Sequence, residues 1–157
     1  MITIKPSSLA IFMIITGIGI GLFWVGFFTI GLAPQNPPPG YFVFEHSFPV
    51  ADTVLAIALL CSGILLRRNR PAGRDLALAS CGALIFLGLL DTSFNLLNGM
   101  YTISAIDTLL NGFINAYCII FGAWAFIVLK NHRIQNELSR SPAENSGTPD
   151  RLQGIKT

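Results

Sequence analysis

Four long apolar runs, separated by short polar segments, dominate this sequence. A helix that crosses a bilayer needs about 20 mostly apolar residues. In lipid, only helices and closed barrels can satisfy all of their backbone hydrogen bonds. Only 11% of the residues are charged, whereas a soluble domain has about a quarter. The sequence therefore predicts an all-α integral membrane protein with helices at about 9–33, 48–66, 75–97 and 105–130.

The connections between these runs favour an up-down-up-down four-helix bundle, because short connections make consecutive helices antiparallel neighbours. A proline-rich segment follows the first helix, the basic turn 67–74 follows the second, and Asn98-Gly99 ends the third. Residues 1–132 are thus predicted to form one transmembrane domain. Residues 133–157 are polar and predict a short helical extension followed by a disordered cytoplasmic tail.

The lysines and arginines all lie on one side of this four-span topology. Lys5 precedes the first helix, four arginines lie in the turn 67–74, and the others begin at Lys130. Cytoplasmic loops carry an excess of positive residues, so both termini are predicted to be cytoplasmic. The small size and compact loops favour the bacterial cytoplasmic membrane as the location.

Carboxylate and amide side chains form a stripe on each of the third and fourth helices. Residues three or four apart share one face of a helix. At 1.5 Å per residue the two stripes extend about 10 and 12 Å along their helices, so they are expected at the same depth. The first stripe contains Asp91, Asn95 and Asn98, and the second contains Asp107, Asn111 and Asn115.

Four acids are predicted on the outer side, where the sequence places no lysine or arginine. They are Glu45, Asp52, Asp91 and Asp107, and His46 is the nearest candidate cation. Several like charges in a low-dielectric environment need a counter-charge or water. The sequence therefore predicts an outward-facing acidic chamber, lined by these residues and the asparagines, in which a proton, a metal ion or an amine could bind.

Structural interpretations remain open for most of these residues. Asp107 fits a capping box with Ser104, and Asp52 also lies near a helix start. The asparagines can hydrogen-bond between helices and hold them together, and Glu45 can be an ordinary loop residue. Asp91 is the strongest functional candidate, because it lies toward a helix C-terminus where the helix dipole disfavours an anion.

Partners and cofactors leave fewer signals. The bilayer is the predicted environment, and Gly17 and Gly21 form a GxxxG motif for close helix packing, within the chain or in self-association with a second copy or membrane partner. No cofactor motif is evident in the sequence. A bound cation is compatible with the four acids, but the sequence does not define which residues would bind a metal ion. No basic-aromatic patch for nucleic acid is present.

Three functional hypotheses follow from these features. The first is a protein that binds a small polar or cationic ligand in the outer chamber, with transport as one use of that binding. The second is a structural or accessory membrane subunit whose polar stripes are packing contacts. The third is a membrane enzyme that acts on a lipid-like substrate through carboxylate acid and base chemistry. The sequence favours a non-enzymatic role, because no nucleophile has an adjacent base.

Overall fold

Helices account for the regular structure of the described chain. The computed structural model describes residues 6–34 and 36–144. Four of its helices are long and apolar enough to cross a membrane, which confirms the predicted all-α four-helix bundle. In chain order the helices are α1 (Pro6–Ile30), α2 (Tyr41–Glu45), α3 (Phe48–Arg67), α4 (Pro71–Leu97) and α5 (Ala105–Glu144), with a 3-10 turn at Met100–Thr102 before α5.

Glycine and proline set two helix boundaries that differ from the predicted ones. Helix α1 ends at Ile30 and not at residue 33, because Gly31 adopts the left-handed conformation that ends helices. Helix α4 begins at Pro71, four residues before the predicted start, because proline suits the first turn of a helix. Asp75 therefore lies in the second turn of α4, where its side chain is exposed.

The connections and the C-terminal region also differ in detail from the sequence-based boundaries. The first connection contains the short helix α2, which the sequence pattern did not indicate. Helix α5 extends past residue 130 to Glu144. The rest of the predicted tail, residues 145–157, lies outside the described residues.

Small residues allow the antiparallel helices to approach closely. Helix α1 packs on α3, α3 packs on α4, and α4 packs on α5. A Cβ added at Gly17 would lie 2.8 Å from the Ala56 carbonyl oxygen, and one added at Gly122 would lie 2.9 Å from that of Cys81. A Cβ added at Gly21 would meet no neighbouring atom within 4 Å. Gly17 therefore serves a contact within the chain, as one of the two interpretations of the GxxxG motif predicted.

An apolar core fills the bundle from its middle toward the end that carries the arginines. In this core, buried side chains of all four long helices pack against one another. A hydrogen bond of 2.6 Å between Thr16 Oγ1 and the Tyr117 hydroxyl also joins α1 to α5. Asp52 of α3 and the carboxylate and amide stripes of α4 and α5 lie toward the opposite end. The largest fully buried apolar side chains of this core are Leu9, Met13, Leu59, Leu84 and Cys81.

Candidate functional site

Three acidic residues lie toward the end of the bundle opposite the arginines. Asp52 lies in the second turn of α3, Asp91 lies in the last part of α4, and Glu45 ends α2. Each carboxyl group is close enough to the other two to interact with them electrostatically. Glu45, Asp52 and Asp91 are called the acidic cluster below. The fold thus brings together three of the four acids that the sequence placed on one side.

The described residues place no lysine or arginine next to the acidic cluster. Their positive side chains belong to the far ends of α3, α4 and α5. His46 is exposed, and its ring stacks on Phe28 with 5.9 Å between ring centroids and on Phe42 with 6.0 Å. The imidazole is therefore held by aromatic rings at the surface, and it forms no hydrogen bond or ion pair with the cluster among the described residues.

Asp52 is the most enclosed member of the cluster. Its side chain is only 7% exposed, and its Oδ2 accepts a hydrogen bond of 2.8 Å from Trp24 Nε1 of α1. Its Oδ1 is buried and has no hydrogen-bond partner among the described residues. A buried carboxylate oxygen without a donor is costly, so Oδ1 is free to accept a hydrogen bond that no described residue supplies.

Helix α2 folds over the acidic cluster and covers it. The ring of Phe44 stacks on Phe94 of α4, with 3.8 Å between centroids and an interplanar angle of 5°. Tyr41 is 5% exposed and close enough to Glu45, Asp91 and Asp107 to interact with them electrostatically. Tyr41 and Phe44 thus pack against the end of the bundle that carries the acidic cluster.

Two asparagines of the predicted stripes are buried beside the cluster. Asn115 of α5 donates a hydrogen bond of 2.9 Å from Nδ2 to the Tyr101 hydroxyl, and its side chain is also a neighbour of the Asp91 carboxylate. Asn95, one turn beyond Asp91 on α4, is 1% exposed, and its Nδ2 has no partner among the described residues. The site therefore contains an unpaired buried donor as well as an unpaired buried acceptor.

The other predicted site residues lie at the margin. Asn98 is exposed and caps α4 by donating from Nδ2 to the Phe94 carbonyl oxygen at 2.9 Å. Asp107 is partly buried, and its Oδ2 accepts a hydrogen bond of 2.6 Å from Ser104 Oγ, which itself accepts one from the Asp107 backbone N–H. Asn111 is partly buried. Asp107 and Ser104 thus form the hydrogen-bonded cap at the start of α5.

Comparisons with protein families, curated proteins and solved structures find no match to this chain. The site must therefore be interpreted from its own chemistry.

Two aromatic residues of the site escaped sequence reasoning. Trp24 donates a hydrogen bond to Asp52, and the Tyr101 hydroxyl accepts one from Asn115. One available signal was depth, because Trp24 lies in the last quarter of α1 and Asp52 in the first quarter of α3, so both fall at one end of the bundle. The hydrogen bond between Trp24 and Asp52 joins residues that are 28 apart in the chain, so no local sequence pattern predicts it.

The arrangement combines anionic acceptors with neutral donors. Carboxylates attract a positive charge, while amide and phenol groups orient it through hydrogen bonds. Among the described residues, no three His, Cys, Asp or Glu side chains are arranged to hold a metal ion. Carboxylate, amide and phenol groups of this kind are able to hold an amine, another cation or a proton.

Proposed function

We propose that this protein binds a small cationic or amine-bearing ligand at the acidic cluster, and that its four apolar helices hold this site within a membrane. The helices themselves are compatible with a multi-pass membrane protein in contact with lipid. Because the site would lie within a membrane, transport of the ligand is the favoured use of this binding.

One observation carries this proposal: among the described residues, three carboxyl groups within electrostatic range of one another have no lysine or arginine beside them, and two buried polar atoms near them have no hydrogen-bond partner. The unpaired atoms are Asp52 Oδ1 and Asn95 Nδ2. Packing contacts between helices would pair such groups with one another, since an unsatisfied polar atom is costly in an apolar environment. A ligand that carries positive charge and hydrogen-bonding groups would satisfy both atoms and offset the repulsion among the acids.

Each residue has a proposed role in binding. Asp91 is the central anion, because it is the member of the acidic cluster whose carboxylate also neighbours the Asn115 side chain. Asn95 and Asn115 orient the ligand. Tyr41, on α2, covers the bound ligand and excludes water from the carboxylates, which strengthens their attraction for a positive charge.

Thermal stability of the detergent-purified protein tests the proposal. The panel contains Mg²⁺, Ca²⁺, Mn²⁺, Zn²⁺, primary to quaternary alkylamines, and amino alcohols whose hydroxyl group can accept a hydrogen bond from Asn95. A ligand that binds only the folded state at 100 times its Kd stabilises it by about 2.7 kcal/mol. At least one member should raise the unfolding temperature in a saturable manner, and a flat response across the whole panel would contradict the proposal.

The distribution of positive charge supports an orientation in which the acidic cluster faces outward and both termini are cytoplasmic. We expect a cysteine introduced by Ser47→Cys, next to α2, to react in intact cells with a membrane-impermeant maleimide. A cysteine introduced by Arg68→Cys, at the opposite end, should react only after the membrane is permeabilised. Both positions are exposed, and the parent chain should carry Cys61→Ala to remove the exposed native thiol. The reversed labelling pattern would overturn this orientation.

A second candidate function, that of an accessory subunit, is favoured by the outer surface of α5. An apolar groove of about 410 Å³ lies there, away from the acidic cluster, and could receive a helix of another membrane protein. In this role Asp91→Asn would leave both stability and function unchanged. The groove is lined by Phe113, Ala116, Tyr117, Ile120, Phe121 and Trp124.

A further inference from the structure

Four arginines lie at or beside the turn between α3 and α4, at the other end of the bundle. Arg67 ends α3, Arg68 and Arg70 lie in the turn, and Arg74 lies in the first turn of α4. The backbone N–H groups of residues 68, 69 and 70 all donate to carbonyl groups in the last turn of α3. A Cβ added at Gly73 would lie 2.7 Å from the Leu65 carbonyl carbon, so the two helices touch directly behind the turn. The arginines are therefore attached to a fixed scaffold.

Arg74 is the least expected of these side chains. It is only partly exposed, and its Nε and Nη2 are buried without a hydrogen-bond partner among the described residues. It also lies in the first turn of α4, where the helix dipole disfavours a cation. Asp75 follows it in the chain, but its side chain is exposed and forms no ion pair with Arg74. Neither helix stability nor an acidic neighbour in the described chain accounts for this guanidinium group.

The position of the turn identifies the kind of anion that fits. The candidate membrane spans on either side end at Arg67 and begin at Pro71, so the turn lies at the depth of the lipid headgroups. A guanidinium group binds phosphate oxygens through paired hydrogen bonds in its plane. Arginines close to the membrane surface also attract anionic lipids. An excess of positive residues in a loop explains the three exposed arginines, but it does not explain a sheltered and unpaired fourth one.

We propose that the α3–α4 turn binds the phosphate group of an anionic lipid. Arg74 is the principal ligand of the phosphate, and the three exposed arginines lie around it. This inference does not depend on the proposed function of the acidic cluster, which lies at the other end of the bundle. It assigns to the protein a lipid site that would also hold α3 and α4 at a defined depth in the membrane.

Lipid titrations followed by native mass spectrometry test this site in the detergent-purified full chain. The wild type should bind phosphatidylglycerol at least about tenfold more tightly than phosphatidylcholine, as expected for a charge-assisted paired contact. Arg74→Gln should remove most of this preference. Arg74→Lys should restore only part of it, because lysine keeps the charge but not the planar fork. Lys130→Gln, which removes a positive charge from α5 at the same end, should change the preference by less than about twofold.

Three results would overturn the proposal. One is equal affinity of the wild type for the two lipids. Another is an equal loss in Arg74→Gln and Lys130→Gln, which would indicate diffuse attraction without a site. The third is competition by inorganic phosphate at concentrations similar to those of the lipid, which would indicate a site for a soluble anion. If Arg74→Gln does not fold, the exposed pair Arg67→Gln and Arg68→Gln should still lower the lipid preference severalfold, and an unchanged preference there would equally reject the site.

Discussion

Replacing Gly73 by alanine should lower the free energy of unfolding by roughly 3 kcal/mol, near the upper part of the range for overpacked cores. The added Cβ would lie 2.5 Å from Leu65 Cβ and 2.7 Å from both the Leu65 carbonyl carbon and the Leu66 nitrogen. Two of these atoms belong to the backbone, so no side-chain rotation can relieve the contact. Helices α3 and α4 would have to separate. Reversible unfolding in mixed micelles would measure the loss.

Gly82→Ala is the matched control, because it makes the same chemical change on the same helix. No atom lies within 4 Å of the Cβ position at Gly82. Alanine also favours a helix over glycine by about 1 kcal/mol in a helix interior. This variant should therefore be as stable as the wild type or slightly more stable. Equal losses of unfolding free energy in Gly73→Ala and Gly82→Ala would contradict the close approach of α3 and α4 at Gly73.

Trp24→Phe should destabilise the protein by about 2 kcal/mol, the usual range for a buried polar group that loses its partner. Phenylalanine preserves most of the ring contact with Phe28, whose centroid lies 5.7 Å from that of the indole. It removes the N–H that donates to Asp52 Oδ2. Both oxygens of a buried carboxylate would then lack partners in the described chain. Thermal and denaturant unfolding of the purified variant would measure this loss.

A double-mutant cycle separates this hydrogen bond from general packing effects. In an Asp52→Leu background the carboxylate is absent, so Trp24→Phe should cost much less there than in the wild type. Trp124→Phe is the control for loss of an indole, because Trp124 lies in the apolar groove and not beside a carboxylate. An identical cost of Trp24→Phe in both backgrounds would mean that the bond from Trp24 to Asp52 contributes nothing to stability.

The main architecture was readable from the sequence because it depends on local properties. Spans follow from the lengths of the apolar runs, and Asn98-Gly99 marked the end of α4, where Gly99 adopts the left-handed conformation. The start of α4 was missed because the arginines around Pro71 were interpreted as a turn. In fact Pro71 begins the helix and places Arg74 within its first turn.

The candidate site was only partly readable, since its assembly depends on tertiary contacts. Helical spacing placed Asp91, Asn95 and Asn115 on common faces, and the structure buries the last two. Spacing could not show that α2, with five residues, folds over the cluster, because a helix this short has no periodic pattern to detect. It also could not distinguish Asn98 and Asp107, which cap helix ends, from the residues that face the cluster.

Asp91 is the central anion of the proposed site, and isothermal titration calorimetry of Asp91 variants tests this role most directly. The titrant is the cation or amine from the panel that stabilises the wild type most strongly. Asp91→Asn should weaken binding by at least about thirtyfold, which corresponds to 2 kcal/mol for the loss of a buried charge contact. Asp75→Asn, which removes an exposed acid at the other end of α4, should bind as the wild type does. Retention of wild-type affinity by Asp91→Asn, or an equal loss in both variants, would contradict the proposed site.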